Sequence, residues 1–547
     1  MDRRNYAFIL ILLLASSPAI YSAYYAWATP SPSIGRTVTP GSIGPCTWFI
    51  SLDGTTPVAQ AMIGGLSVSP GDNVVGTTGQ DMAVFLSTYA VSGNNLCFSG
   101  QTFTFSSALT MNNVVGMKWQ GSGSGSTVFQ QASGTNVPQW MFRITQTSTD
   151  IMIKGITFDF NAAGQGAYTC PNAGWIFAID HQPSTSVTVQ RITLQNNDFR
   201  NSACQAIELL AQDVIVTGNQ FRGVHQGMFV TGVLTQRVTI SNNVFIVTGT
   251  FGANVGCVDL EDRVQNITIS ANVCKGAGVG NGFGLAPANM TTIIGNSIEG
   301  FQVGISVSIA LGNVFNSFVG NVITDNLNNG IKIASSSQSG TVISGNVLRN
   351  NGGGPTDATQ IFIISSGSDL VINSNSLIDT RSGAARVQFG IYVQSTNQVV
   401  IDGNLIDGFR SQGIRIEDAN DVIITSNQVI SSGVTGLLVT GTSVNAIVTS
   451  NNFRQSGTLS LVTGCCTVYN NLGYVTENWG ATSVADGGTI SHGLAGTPDT
   501  VQCTTSITDE FCSVTALAAT TFTVTITKHD GTAGTTQTIY WYAVFIP

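Results

Sequence analysis

The chain is 547 residues long, with 62 Gly, 9% charged residues and a formal net charge of -9. So few charges exclude a disordered chain and a long-helical one, and the acidic balance excludes nucleic-acid binding, which needs Lys and Arg facing phosphates. The length exceeds that of one ordinary domain, but a repeat can carry one continuous core over any length.

The N-terminus runs from Arg3-Arg4 through the apolar stretch 6–15 to Ala26-Trp27-Ala28 and Pro30, the basic, apolar and small-residue order of an export signal over 1–28. The stretch 6–23 is also long enough to anchor the chain if it stays uncleaved, so membrane contact is expected only through this segment and the protein is expected to be secreted or at the cell surface. Ten Cys in an exported chain imply disulfides, and local order pairs Cys46 with Cys97, Cys170 with Cys204, Cys257 with Cys274 and Cys503 with Cys512, leaving the adjacent Cys465 and Cys466. Buried reduced thiols are the alternative.

From about residue 190 a fixed pattern dominates, apolar-x-apolar-x-x-Asn-x-apolar. Its marker residues are Asn197, Asn219, Asn243, Asn272, Asn296, Asn321, Asn346, Asn375, Asn404, Asn427 and Asn451, 22 to 29 residues apart. About ten residues after most markers comes a Gly-apolar-x-apolar element, as in Gly304-Ile305-Ser306-Val307 and Gly390-Ile391-Tyr392-Val393. Two short strands per turn cannot stand alone and must pair with their equivalents one turn away, about 4.8 Å off. The markers should then stack in one column at a left-handed corner and bond to one another.

These turns resemble the right-handed parallel β-helix repeats of the pectate-lyase-like superfamily, including NosD-type and sugar-hydrolase repeats. The resemblance implies an all-β solenoid over 96–478, with 29–95 capping its open end. Past Asn471 the period stops, and Gly488, Ile490, His492 and Pro498 lead into the alternating run 521–526 and then Ile539, Tyr540 and Trp541. This segment, 479–547, resembles the small β-sandwich modules at the ends of phage fibres and secreted surface proteins. His492 reads as a buried turn residue rather than a ligand.

Binding in such solenoids is expected beside one sheet, so the outward position of the second strand was followed turn by turn: Glu208, Phe229, Asp259, Gly284, Ser306, Lys332, Phe362, Tyr392, Arg415 and Leu438. Around its start gather Asp180, His181, His225, Glu261, Asp262 and Arg263. Carboxylates about 5 to 10 Å apart serve glycoside hydrolysis, one as acid and one as base or nucleophile. Asp180, Glu208 and Asp259 are the candidates, with His225 and Arg263 to orient the substrate or stabilise charge. The same carboxylates would equally suit Ca2+. Glu261, Lys332 and Arg415, with outward aromatics Phe229, Phe362 and Tyr392, are the expected sugar contacts, since exposed rings offer faces for stacking. The longer turns add residues at 248–255, 352–358 and 381–386, just before the second strand, where they would wall the groove.

The superfamily's motifs are partly present. Ile179-Asp180-His181 resembles the Ile-Asp-His of pectate lyases, but their Arg-x-Pro-x-x-Arg segment is absent. Val224-His225-Gln226-Gly227 stands where polygalacturonases have Gly-His-Gly, Arg415-Ile416-Glu417 where they have Arg-Ile-Lys, and no Pro separates Asp180 from His181 as in alginate epimerases. The Met and His clusters of copper handling are missing. The expectation is an exported protein, monomeric or a homo-oligomer, whose groove binds a polysaccharide or surface glycan and cleaves it by hydrolysis or elimination if the carboxylates act. The alternative is a non-catalytic fibre, envelope or adhesin component.

Overall fold

A computed structural model describes residues 46–546, apart from 64–65, 68–72, 135–139, 166–174, 181–188, 203, 249–255, 309–313, 336–338, 354–357, 365–366, 457 and 462–464. The N-terminal signal, His181, Cys170 and most of the 248–255 and 352–358 insertions lie outside the described residues. The chain winds into a solenoid of about 13 turns.

Each regular turn carries three strands rather than the two expected, for example Gln212–Thr217, Gln220–Val224 and Gln226–Val230. The repeat pattern had fused the first two, because the marker Asn and its neighbour form a corner only two residues long. Every strand pairs in parallel with its equivalent one turn on. The second strands form a separate 14-stranded sheet, while the continuous strand Gly256–Ser270 joins the first and third sets into one 32-stranded sheet.

The marker column is continuous. Asn197 Nδ2 donates to Asn219 Oδ1 at 3.1 Å, and the same bond repeats turn by turn through Asn321 to Asn346 at 2.9 Å and Asn451 to Asn471 at 2.9 Å. Each Asn also accepts the backbone N–H of the preceding marker and donates to a backbone carbonyl, so three otherwise stranded polar groups per turn are satisfied in the interior. The left-handed residue is not the marker itself but the one before it: Asn196, Gly218, Asn242, Gly295, Gly320 and Ser426 all have φ between 54° and 68°. That position turns the chain, and the marker ties the turn down.

Inside, the second strands stack like on like. Phe158, Phe199, Phe221 and Phe245 lie ring over ring at 5.3, 5.0 and 4.4 Å, and aliphatic side chains from Ile298 to Val429 continue the column. The N-terminal end is closed by the helix Met82–Ser87, capped by Asp81, which buries Met82, Ala83, Phe85 and Leu86 against the strands Thr102–Phe105 and Leu109–Asn112. Just upstream, Trp48–Asp53 pairs in parallel with Asn95–Phe98, so part of the segment expected to cap the solenoid forms a rung of it. At the other end, two three-stranded antiparallel sheets enclose Ile490, Phe522, Val524, Ile526, Ile539 and Trp541. His492 is buried there, its ring nitrogens bonded to the Leu494 N–H and the Ala518 carbonyl, in keeping with a structural role.

Between described residues, Cys46–Cys97, Cys257–Cys274 and Cys503–Cys512 are joined as expected, and the adjacent Cys465 and Cys466, which local order left over, are joined to each other. Cys170, the expected partner of the buried Cys204, lies outside the described residues.

Candidate functional site

The third strands set the site. Their register runs Arg143, Ala178, Glu208, Phe229, Asp259, Gly284, Ser306, Lys332, Phe362, Tyr392, Arg415, Leu438, one residue per turn along one outer column. The column expected from Glu208 to Leu438 is therefore the real one, and it extends two turns further back. Glu208 and Asp259 are two rungs apart, about 10 Å at the backbone.

The two ends of the column differ in chemistry. At the N-terminal end, Asp180 is buried and held by Arg143, whose Nη2 lies 2.8 Å from its carboxylate and whose Nε makes two further contacts at 3.0 and 3.1 Å. Arg143 also lies over the ring of Trp140, 4.3 Å from its centroid, and Trp140 stacks on Trp175 one turn on. Glu208, one turn above, has no such cation to itself. Burial, reinforced by the Asp180 carboxylate and only partly offset by Arg143, pushes its carboxyl up to about 7.

Asp259 is pushed up to about 6 by burial, with the Gln226 amide and the Leu260 backbone offsetting part of the rise. Its side chain keeps some exposure while the carboxyl folds down over Gly284. A Cβ at position 284 would meet Asp259 Oδ1 at 2.3 Å, so glycine in the outward column makes room for that carboxylate. Glu261, two residues on, is pushed up to about 7 by burial, then by Asp259 and by Asp262. The site gathers Asp180, Glu208, Asp259 and Glu261 on one face, with the last three carboxyls raised by burial and the first held by Arg143.

His225 is buried at the corner before its strand, and desolvation moves its imidazole down from the usual range, so near neutrality it carries no charge. Arg263 stands exposed on the next corner with φ 64°, beyond Asp262, which accepts a 2.6 Å bond from the Thr231 hydroxyl. Among the described residues no group of three or more His, Cys, Asp or Glu is placed to hold a metal ion.

At the C-terminal end the expectation of exposed aromatics is corrected. Phe362 and Tyr392 do point outward, but they are only 7% and 8% exposed because they pack on Phe389 in a small cluster of their own. Phe389 was missed because it lies three residues before Tyr392, across Gly390, out of step with strict alternation. Lys332 lies 5.9 Å from the Phe362 ring centroid, and Arg415 covers Phe389 and Tyr392 at 5.3 and 4.6 Å. Glu417 fastens this lid, accepting from Arg415 Nη2 at 2.7 Å and from the Tyr392 hydroxyl. Phe229, between the acidic residues, stays half-buried. The insertion 381–386 is fixed by Arg381 on buried Asp379 at 2.9 Å, and Arg410 reaches across to its Ala384 carbonyl.

Two family descriptions match this chain: a right handed beta helix region over residues 308–473 and a periplasmic copper-binding protein (NosD) over 172–360. Among the described residues of 172–360, Met228 and His225 are buried, Met290 stands on an outer corner, and no group of three or more His, Cys, Asp or Glu is placed to hold a metal ion. No curated protein matches the chain in sequence. Among solved structures, pre-mature bacteriophage phi29 gene product 12 is similar at 15% identity and a TM-score of 0.52, covering 73% of this chain and 54% of that one. The N-terminal fragment of the same phage product gives 14% and 0.50, covering 73% and 69%. The A-module of the Azotobacter vinelandii mannuronan C-5 epimerase AlgE6 gives 12% and 0.40, covering 72% and 95%. At such identities the likeness is one of fold. The chain is a right-handed parallel β-helix.

Proposed function

We propose that the chain is an exported protein that binds a polysaccharide along the outer column of its third strands and hydrolyses it at the acidic end. The observation that carries this reading is Glu208: a half-buried carboxyl titrating at about 7, one turn from an Asp180 held by Arg143 and two rungs from Asp259 at about 6. Near pH 6.5 Glu208 is mostly protonated and Asp259 mostly ionised, which are the states an acid and a base need. Glu208 would give its proton to the glycosidic oxygen as the C–O bond breaks, and Asp259 would take a proton from the water that attacks the anomeric carbon. The backbone spacing of about 10 Å leaves room for that water. Neutral His225 and exposed Arg263 would orient the sugar. The solved structures of similar fold include a mannuronan epimerase and an α-1,3-glucanase, and the four disulfides fit an oxidising compartment.

The test is a panel of polysaccharides assayed for reducing ends and for unsaturated products, with Glu208→Gln beside the wild type. The expected outcome is new reducing ends without unsaturation, a bell-shaped rate with limbs near pH 6 and 7, and a loss of about 100-fold or more in the variant with binding intact. Unsaturated products would replace hydrolysis by elimination, and a variant as active as the wild type would remove Glu208 from the chemistry.

A further inference from the structure

The C-terminal sheets carry aromatic rings where water should favour polar groups. In the sheet of Glu477–Val484, Gln537–Val544 and Thr500–Thr505, inward Trp541 and Ala543 alternate with outward Tyr540 and Tyr542, which are 54% and 38% exposed. Trp479 on the neighbouring strand is 70% exposed. Antiparallel register brings the three together. Trp479 stands directly opposite Tyr542, which puts their Cβ atoms about 5 Å apart, and Tyr540 lies one pleat from Tyr542, about 7 Å along the strand. Across the central strand, Gln502 and Thr504 stand opposite Tyr542 and Tyr540. Glu477 accepts a hydrogen bond from the Tyr542 hydroxyl at 2.9 Å, and it is the one charged residue among the outward positions of these three strands.

A cleft opens at the edge of this face. Thr500–Thr505 and Glu510–Leu517 are the arms of one hairpin but edge strands of different sheets, and the Cys503–Cys512 disulfide holds them together near the turn. A bulge between Val514 and Ala516 bends the second arm. The space between the arms is about 440 Å³, open to solvent and lined by Val501, Val514 and Leu517 together with Thr500, Thr515 and Asp499. Thr500 links cleft and rings, two residues from Gln502 on the same outward face.

Charge and shape narrow the ligand. Neither the rings nor the cleft offers a cation, and the carboxylates of Glu477 and Asp499 would repel an acidic polymer. The same carboxylates, with no Lys or Arg beside them, disfavour a lipid surface. A neutral sugar ring has an apolar C–H face to lie on aromatic rings and hydroxyls at its rim for Gln502, Thr500 and Thr504. We propose that the C-terminal sheets form a binding site for a neutral polysaccharide, which lies flat on Trp479, Tyr542 and Tyr540 and enters the cleft at Thr500. The site is separate from the acidic groove and does not rest on the reading of that groove.

The test is affinity electrophoresis of the full-length protein in gels cast with dextran, galactomannan, laminarin or hydroxyethylcellulose, with iodide quenching of tryptophan fluorescence measured in solutions of the same polymers. At least one polymer should retard the wild type and shield Trp479 from iodide. Trp479→Ala combined with Tyr542→Ala should raise the apparent Kd about tenfold or more, as loss of aromatic anchors does, at an unchanged melting temperature because both side chains are exposed. Trp479→Phe keeps a ring and should be retarded as the wild type is, yet show no protection from iodide. No retardation in any of the gels, a double variant retarded as strongly as the wild type, or protection that survives in Trp479→Phe overturns the site. Co-sedimentation with phosphatidylcholine vesicles in place of retardation overturns it as well and makes the rings a membrane contact. A Thr515→Arg variant, whose side chain fills the cleft, should bind more weakly, and retardation equal to the wild type would strike the cleft from the site.

Discussion

Glu208→Gln should change how the stability of the solenoid depends on pH, whatever the substrate. In the folded chain the Glu208 carboxyl titrates at about 7, against an ordinary 4.5. A raised folded pKa means that the native state holds the proton more tightly than the unfolded one. The stabilisation is thus complete below about pH 4.5 and is lost as pH climbs through 7. A shift of about 2.5 units corresponds to roughly 3 kcal/mol, most of which, about 2 to 3 kcal/mol, falls between pH 5 and pH 8. Asp259 and Glu261 act with the same sign, so the wild type alone cannot isolate Glu208. The difference between wild type and Glu208→Gln can, because the other two contributions largely cancel. Urea denaturation of both proteins at pH 5, 6, 7 and 8, with hydrogen exchange of the strand Gln205–Leu209 as a local readout, should show the variant gaining about 2 kcal/mol on the wild type as pH rises. Parallel curves would refute the claim that burial and the Asp180 charge hold this carboxyl neutral.

Arg143→Met should destabilise the chain by about 3 to 5 kcal/mol at pH 7, since it leaves the nearly buried Asp180 carboxylate without its partner. The loss should shrink when Asp180→Asn is added to Arg143→Met, and an equal loss with and without Asp180→Asn would point to lost packing on Trp140 instead. Asn321→Ala should cost about 3 kcal/mol or more by chemical denaturation, because it removes at once the acceptor of the Asn296 N–H and Nδ2 and the donor to the Ile293 carbonyl. A cost below about 1 kcal/mol would mean that water or a shifted corner replaces the ladder.

What the sequence disclosed, and what it hid, follows from where periodicity holds. The marker Asn and the outward column from Glu208 to Leu438 were legible because each turn repeats one side-chain task at one place, and parallel register then carries that place from turn to turn. The two earlier turns were hidden by the absence of a marker: Ile156 occupies the place of the Asn before Asn197, bonded to it through its backbone N–H, so the pattern gives no cue. Arg143 and Trp140 went unnoticed for that reason, although Arg143 holds Asp180. The burial of Phe362 and Tyr392 was hidden for a different reason. Alternation says which way a side chain points but not what lies beside it, and Phe389 joins them from a position that breaks alternation at Gly390. The raised carboxyls are hidden most deeply, because they depend on how much room a neighbour leaves. In a pattern Gly284 reads as a weak strand residue. In the fold its missing side chain is where the Asp259 carboxyl rests, so Gly284→Ala should displace that carboxyl with no change in charge, and the acid limb of any pH profile should move with it.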